Sequence, residues 1–579
     1  MMARRWLGTA SLAALAALAL AACTTIPTSG PVNEGAGVVS SSKPFVPFAE
    51  GPREGDSPTG IVNGFISASS AGFASDFTVA REYLTPAAAA KWDPNAKVTV
   101  FDSAALQTDF DQNTNTVTYD IPVFATIDDS GRLTEAADGT RETLSFTLEL
   151  NADGEWRITE LDDGTILARD NFARLFMPVN LVFASVDETT QVPELRWLQR
   201  SKAVTVAARE LVEGPSPWLA PAVHTGFPAS SGLAVDSVVV TDGVASVQLT
   251  PASSGDAAQR SLAQEQMRLT LASIPGTTGV VVTSGGVALG GDGSAALAPA
   301  PLPTTDAVAF INDRLGVWDG ENAWQVANSV GGLPAGSSGI AQGFEDLTAA
   351  WIVNGSTLVS SDALKGGVDS LVAAKDGASA PSATMKTQTL YEGSALIAPS
   401  VDRHHWTWTA SADPAGEFVA VKEGGTIVKI PVDWLRATTV QALAVSRDGA
   451  RIAVLSRTGG KQTLEVASIV RSEDGEPLTI GEPLAVGTDI GPAIDLTWVD
   501  AFTIAALGEA AVDVGNGLWL VDVGGLTESQ KAVTGAVDIT ARESERSLVV
   551  VDNKQQVFAR SGTVWSKVAT GPAELAYSG

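Results

Sequence analysis

The chain has 579 residues, 45% of them hydrophobic and 18% charged, which is enough for about three or four domains, each with its own core. A formal net charge of −29 argues against a nucleic-acid partner and against attraction to an anionic membrane surface, so any membrane attachment is expected to be covalent or hydrophobic. The single cysteine excludes an intramolecular disulfide and any multi-thiol metal site.

That cysteine sits in the stretch LALAACTTIP. Arg4 and Arg5 form a positive start, and Trp6 to Ala22 form a short apolar run. Leu20-Ala21-Ala22-Cys23 then has the form of a bacterial lipobox: a branched apolar residue, two small residues and a thiol acceptor. Cleavage between Ala22 and Cys23 would leave Cys23 as a lipid-bearing first residue. The alternatives are an uncleaved anchor or an ordinary signal peptide with an incidental Cys. The position of the only thiol at the cleavage point favours the lipoprotein. Arg4-Arg5-Trp6-Leu7 only faintly matches a twin-arginine signal, which leaves the export route open. Residues 1–22 are therefore expected to be a signal peptide and 23–55, rich in Gly, Pro and Ser, a flexible tether.

From 56 to 190 the pattern is α+β. Ser57-Pro58 opens a helix with Ile61, Val62, Phe65 and Ile66 on one face. A second helical run is expected through Phe73, Phe77, Ala80 and Leu84. The period then changes to two, with Val117, Tyr119, Ile121, Val123, Ala125 and Ile127 alternating, followed by Leu144, Phe146, Leu148 and Leu150. NADGE turns the chain into Trp156 and Ile158. Two helices feeding such a sheet imply an NTF2-like layer, an analogy that fixes no activity.

Residues 195–290 read as a second α+β domain. Val204, Ala207, Ala208, Leu211 and Val212 mark a helix ended by Gly214-Pro215. Val235 to Val240, Asp242-Gly243 and Ala245, Val247 and Leu249 form a hairpin. Ala263, Met267, Leu271 and Ile274 give another helix, and Val280-Val281-Val282 a buried strand. A low-complexity linker, 291–304, follows.

From 305 to 579 helical periodicity nearly vanishes, and nine of the 14 tryptophans lie there. SADPAGEFVAVKEGG (411–425) and SRDGARIAVLSRTGG (446–460) share Ser-x-Asp, a turn and an apolar strand, with weaker copies at 496–507 and 541–552. A turn leading into an inner strand at such intervals implies a β-propeller, here of about six blades; a pair of β-sandwiches is the alternative.

Chemical motifs are sparse. No nucleophile elbow, P-loop, dinucleotide fingerprint or zinc-protease motif is present, and no metal or cofactor site is expected. His404 and His405 are adjacent and would point to opposite strand faces, so exposed loop positions are expected for both; His224 is isolated. Glu160, Asp162 and Asp163 fall at a hairpin end, where a solvated turn explains them.

The ordered set of lipobox, IPTSGPV, GIVNGFISAS, AREYLTPAAAAKWDP, MPVNLVFAS and ELVEGPSPWLAPAVHTGFP resembles the LpqB lipoproteins of actinobacteria over nearly the whole chain. The middle domain resembles the GerMN module and the C-terminal half the family's propeller. The resemblance implies an accessory role and no enzyme activity. It places the protein on the outer face of the cytoplasmic membrane, associated with the extracytoplasmic region of an MtrB-like sensor kinase that signals to MtrA in cell-wall homeostasis and division. Two other readings compete. One is a glycan- or peptide-binding lipoprotein using the propeller or the NTF2-like cavity, with Trp351, Trp406 and Trp408 as an aromatic platform, although packing between blades explains those residues better. The other is a propeller hydrolase, which needs carboxylates, or a nucleophile with a base, converging at one mouth.

Overall fold

The computed structural model describes residues 49–579 except 74, 103–106, 252–255, 290–295, 321–324, 328–330, 345–347, 365–370, 374–383, 415 and 509–516. The expected signal peptide, with Leu20, Ala21, Ala22 and Cys23, lies outside the described residues, as does nearly all of the tether.

The first helix, Pro58–Gly72, starts where the Ser57 hydroxyl accepts the Gly60 N–H at 3.1 Å and Pro58 presets the first turn. The expected second helix is interrupted. Phe77 takes a φ of 59° and lays its ring over Gly72, where a Cβ would fall 2.2 Å from the ring; within the expected run the turn Thr78–Arg81 is helical beyond it, and a separate short helix, Pro86–Lys91, follows. Both elements lie near a sheet ordered Trp156–Glu160, Arg141–Leu150, Thr116–Asp128, Lys97–Phe101, Thr165–Ala168. Its pairs are antiparallel except the last, which is parallel. Alternation along Thr116–Asp128 buries Val117, Tyr119, Ile121, Ala125 and Ile127 against Leu144, Phe146 and Leu148. Leu150, at a strand end, is exposed.

The hairpin Phe176–Ser185 and Gln191–Gln199 gives Val179, Leu181, Phe183 and Val192 to a second core with the helices Ala203–Glu213 and Ala257–Ala272. Asp256 opens the latter helix with a reciprocal capping box to Gln259, a device that contributes about 1 kcal/mol. The sheet on this core runs Val239–Thr241, Val244–Leu249, Gly279–Ser284, Val287–Ala288. Asp242 and Gly243, with φ of 50° and 80°, make the expected tight turn. The strand through Val280–Val282 is not buried throughout: Val282 faces the core, whereas Val281 is 48% exposed. Ala245, Val247 and Leu249 turn one face of this sheet inward, leaving Val239, Val244 and Val281 on the open face.

The C-terminal part is β-rich, with six antiparallel sheets of four or five strands among the described residues. Their innermost strands are, from the first sheet to the sixth, Pro572–Ala576, Ser337–Gln342, Ser400–Val401, Thr439–Val445, Ala493–Trp498 and Ala536–Ala541. The strand nearest the C-terminus belongs to the first sheet, where it pairs with Ala307–Ile311. The Ser-x-Asp turns lead into strands in the interior of their sheets, not into the innermost ones. The turn at 446–450 precedes the second strand of the fourth sheet, Arg451–Thr458, and 411–416 precedes the third strand of the third sheet, Glu417–Lys422. The two copies are thus out of phase, because a tight polar turn serves any β-hairpin, whichever pair of strands it joins.

The three parts pack as one unit over residues 46–579. Trp197 N–H donates to the Gly131 carbonyl at 2.7 Å, joining the first part to the second. Thr527 N–H donates to Glu135 at 3.1 Å and Asp138 N–H to Asp489 at 2.7 Å, joining the first to the third.

Candidate functional site

The innermost strands of all six sheets line one cavity of about 340 Å³. That volume falls in the ~300–1,000 Å³ range of small-molecule sites. Its wall is mostly backbone and small or aliphatic side chains, with Gln342, Gln441, Thr497 and Tyr577 among the polar ones. Ile494 and Val537, 40% and 46% exposed, place apolar groups on the wall beside Asp495 and Asp538.

Three carboxylates, Asp495, Asp538 and Glu574, reach this cavity, and no Lys, Arg or His is among the described residues lining it. By surface area they are only partly buried, because they stand in the wall of the cavity that the six innermost strands enclose. Burial pushes Asp495 up to about 6, with Glu574 adding to the rise. Burial, then the charges of Asp495 and Glu574, push Asp538 well above the usual carboxylate range, and burial raises Glu574. Hydroxyls in the wall are already engaged: Ser400 accepts the Val445 N–H and Thr540 the Tyr577 N–H, both at 3.0 Å. No group of three or more His, Cys, Asp or Glu suited to a metal ion is present among the described residues.

The tryptophans singled out from sequence are elsewhere. Trp351, Trp406 and Trp408 are at most 1% exposed and none lines the cavity. Trp408 Nε1 donates to Asp402 at 2.8 Å and Trp351 Nε1 to the Ser337 hydroxyl at 3.0 Å. They are packing residues, and an aromatic platform built from them is ruled out. His404 departs from its expected exposure: it lies half-buried between Gly449 and Gly475. Burial, then the nearby Arg471 and Arg403, hold its pKa down at about 4. His405 is exposed, and His224 meets Glu188 at 3.3 Å. Asp163 accepts the Asp93 N–H at 2.8 Å and so pins a loop, and it borders, with Asp162, a separate cavity of only about 120 Å³ in the first part.

A second polar assembly lies where the hairpin of the second part meets the third and fourth sheets. Arg403 Nη2 donates to both carboxylate oxygens of Asp187, and the same side chain's Nε donates to the Asp448 carbonyl at 2.8 Å. Burial works to raise Asp187, but the Ser185 hydroxyl and Arg403 overcome it and hold the carboxyl at about 2. Buried pairs Arg471–Asp402 and Arg451–Asp448 stand behind it. Asp402 also accepts from His404 N–H at 2.9 Å, Trp406 N–H at 3.0 Å and Trp408, so its buried charge is fully compensated.

The carboxylates of the cavity were missed in the sequence, although a signal was there. Ala493-Ile494-Asp495-Leu496-Thr497 recurs as Ala536-Val537-Asp538-Ile539-Thr540, with Ala573-Glu574-Leu575 as a third, looser copy.

Comparison with known proteins follows the same division into three parts. The family model for the N-terminal domain of lipoprotein LpqB matches residues 51–173, and the LpqB beta-propeller domain model matches 355–575. A sporulation and spore germination model matches 180–290, between them. The chain belongs to the LpqB lipoprotein family. Lipoprotein LpqB of Streptomyces coelicolor is 28% identical over 96% of this chain and 95% of that relative. The LpqB of Thermobifida fusca is 33% identical over 40% of this chain and 39% of that relative. The tandem GerMN domains of the Bacillus subtilis sporulation protein GerM overlap 22% of this chain and 42% of that structure, with 20% identity and a TM-score of 0.17. The LpqB models and relatives are named for a lipoprotein and not for a catalytic activity, and lipoprotein identity supports attachment to a membrane.

Proposed function

We propose that the chain is an accessory of a two-component sensor kinase, MtrB-like and signalling to MtrA, in cell-wall homeostasis and division. In this reading Cys23 carries the lipid on the outer face of the cytoplasmic membrane, and residues 24–55 are the spacer. The observation that carries it is the joining of a lipoprotein-family chain's three parts into one unit through the Asp187–Arg403 ion pair and the Glu135–Thr527 contact. A body tethered beside a receptor gains effective concentration and offers a broad contact surface. We read the six sheets as six blades of a closed propeller, which the shared cavity and the pairing of Pro572–Ala576 with Ala307–Ile311 support.

The test is a titration of the soluble chain 24–579 against the extracytoplasmic region of the host's MtrB-like kinase at two salt concentrations. Saturable binding supports the accessory role, and no binding by folded protein removes it. In cells, Cys23→Ala should abolish lipid labelling and leave unprocessed precursor; a lipid-modified, mature-length Cys23→Ala product would remove the anchor.

A second reading, a peptide-binding lipoprotein, is favoured by the cavity itself, whose carboxylates and apolar neighbours suit a basic side chain with an aliphatic stem. It gains weight if the kinase titration fails and a basic peptide binds.

A further inference from the structure

Each cavity carboxylate reaches from its own strand to the backbone of the next sheet. Asp495 on the fifth sheet accepts the Ile539 N–H of the sixth at 3.1 Å, and its other oxygen takes its neighbour Leu496 N–H at 2.8 Å. Asp538 on the sixth sheet accepts the Leu575 N–H of the first at 2.9 Å. Glu574 on the first accepts the Ile340 N–H of the second at 3.0 Å. Three consecutive seams are therefore stitched by carboxylates. The seam between the third and fourth sheets uses a neutral hydroxyl, Ser400 to Val445 N–H, and that between the fourth and fifth a neutral amide, Gln462 to Ala493 N–H at 2.7 Å.

Among the described residues lining the cavity, nothing basic balances the three. The other inner strands turn Gln342, Ser400 and Gln441 toward the cavity, and Tyr577 and Gly579 stand on its wall. Arg447, which packs against Gly579, spends its guanidinium on the carbonyls of Trp498, Val499 and Ala541. The groups facing each carboxylate are thus the other two.

We propose that Asp495, Asp538 and Glu574 form a proton-operated latch across these three seams, tight when the carboxyls are protonated and loosened when all three are ionised. A protonated carboxyl still accepts the N–H of the next strand through its carbonyl oxygen, so protonation keeps the stitch and removes the repulsion. Asp495 titrates in the fold at about 6 against 3.8 in a free chain, and Asp538 higher. At pH values below 3.8 these carboxyls are protonated in both states and the latch carries no penalty. As pH rises through the folded values, the unfolded chain has already ionised while the folded one must do so against burial and like charge. Stability is lost over that interval.

The test is the melting temperature of the soluble chain 24–579 between pH 5 and 8, beside the triple variant D495N/D538N/E574Q, which removes the charges and keeps one acceptor oxygen per side chain for the cross-seam N–H; at residue 495 the local bond to the Leu496 N–H is given up at every pH. The expected result is a variant whose melting temperature gains on the parent's by roughly 5 °C between pH 5 and pH 8, ending above it. His404, which acts in the opposite direction, and Asp522, raised to about 6 by burial, are present in both proteins and cancel. A difference that does not change with pH, or a variant less stable at pH 8, overturns the latch. Should the triple variant not fold, D538N is read by hydrogen exchange at the Leu575 amide, corrected for intrinsic rates. Greater protection than the parent at pH 8 supports the latch, and equal or lesser protection overturns it.

Discussion

Arg403 grips Asp187 with two hydrogen bonds, at 2.9 and 2.8 Å, across 216 positions of sequence. The pair ties the loop after Phe176–Ser185, in the second part, to the turn that follows the innermost strand of the third sheet. Arg is the side chain for this task, since Nη2 can serve both carboxylate oxygens while Nε of the same guanidinium holds the Asp448 carbonyl, two places that a single ammonium nitrogen does not reach together.

Arg403→Lys should therefore cost stability although it keeps the charge, by about 1 kcal/mol given that the pair is partly open to solvent. Arg403→Ala should cost about 2 kcal/mol, and urea denaturation with m-value analysis reads both. Asp187 is held at about 2, below its ordinary 3.8. Its contribution is thus present above pH 3.8 and disappears as pH falls toward 2. An Asp187→Asn chain should lose the corresponding part of its acid sensitivity, and an unchanged acid transition would count against the pair.

Asp402 is the most heavily used carboxylate of the third sheet, taking the Arg471 guanidinium, two backbone N–H groups and the Trp408 indole. Asp402→Ala leaves a buried Arg471 without its counter-ion and should destabilise by about 3–5 kcal/mol. Trp408→Phe removes one donor and some packing, and should cost about 2 kcal/mol. The ordering of the two, read by thermal melting, is the check: a Trp408→Phe cost above that of Asp402→Ala would show that packing outweighs charge here.

His404 stays neutral well below the ordinary imidazole range because burial and two guanidinium groups oppose its charge. Its folded value of about 4 lies under the 6.5 of a free chain, so the stability it permits is full above 6.5 and is lost as pH falls from 6.5 toward 4. His404→Gln should flatten that limb of the stability profile, and an imidazole signal at residue 404 that titrates near 6.5 would contradict the placement.

Much of the fold was legible from local rules, and its failures have physical causes. Ser57-Pro58, the alternation from Val117 to Ile127 and the turn at Asp242-Gly243 are set by capping, pleat and left-handed backbone, all of them readable within a few residues. Phe77 breaks a helical spacing of apolar residues because its ring is wanted over Gly72, a packing demand the spacing does not carry. Val281 looked buried in an apolar triplet, but among the described residues it stands on the exposed face of its sheet. The cavity carboxylates were passed over because Asp in a strand reads as a solvent-facing residue. Only the convergence of six innermost strands turns Asp495, Asp538 and Glu574 toward one another.

Gly226 is where the second part has least room. A Cβ there would lie 2.2 Å from the Ala263 amide nitrogen and 2.5 Å from the Gln259 carbonyl, both backbone atoms of the helix Ala257–Ala272. The Gly226 N–H is also fixed, donating at 2.8 Å to buried Gln266, whose amide donates at 3.0 Å to the His224 carbonyl. Neither side of the contact can yield by rotating a side chain, so Gly226→Ala must push the helix off its sheet. The expected cost is about 2–3 kcal/mol, with Met267 and Leu271, buried on the same helix, losing protection from exchange. A Gly226→Ala chain as stable as the parent would mean that the helix can shift without disturbing that core.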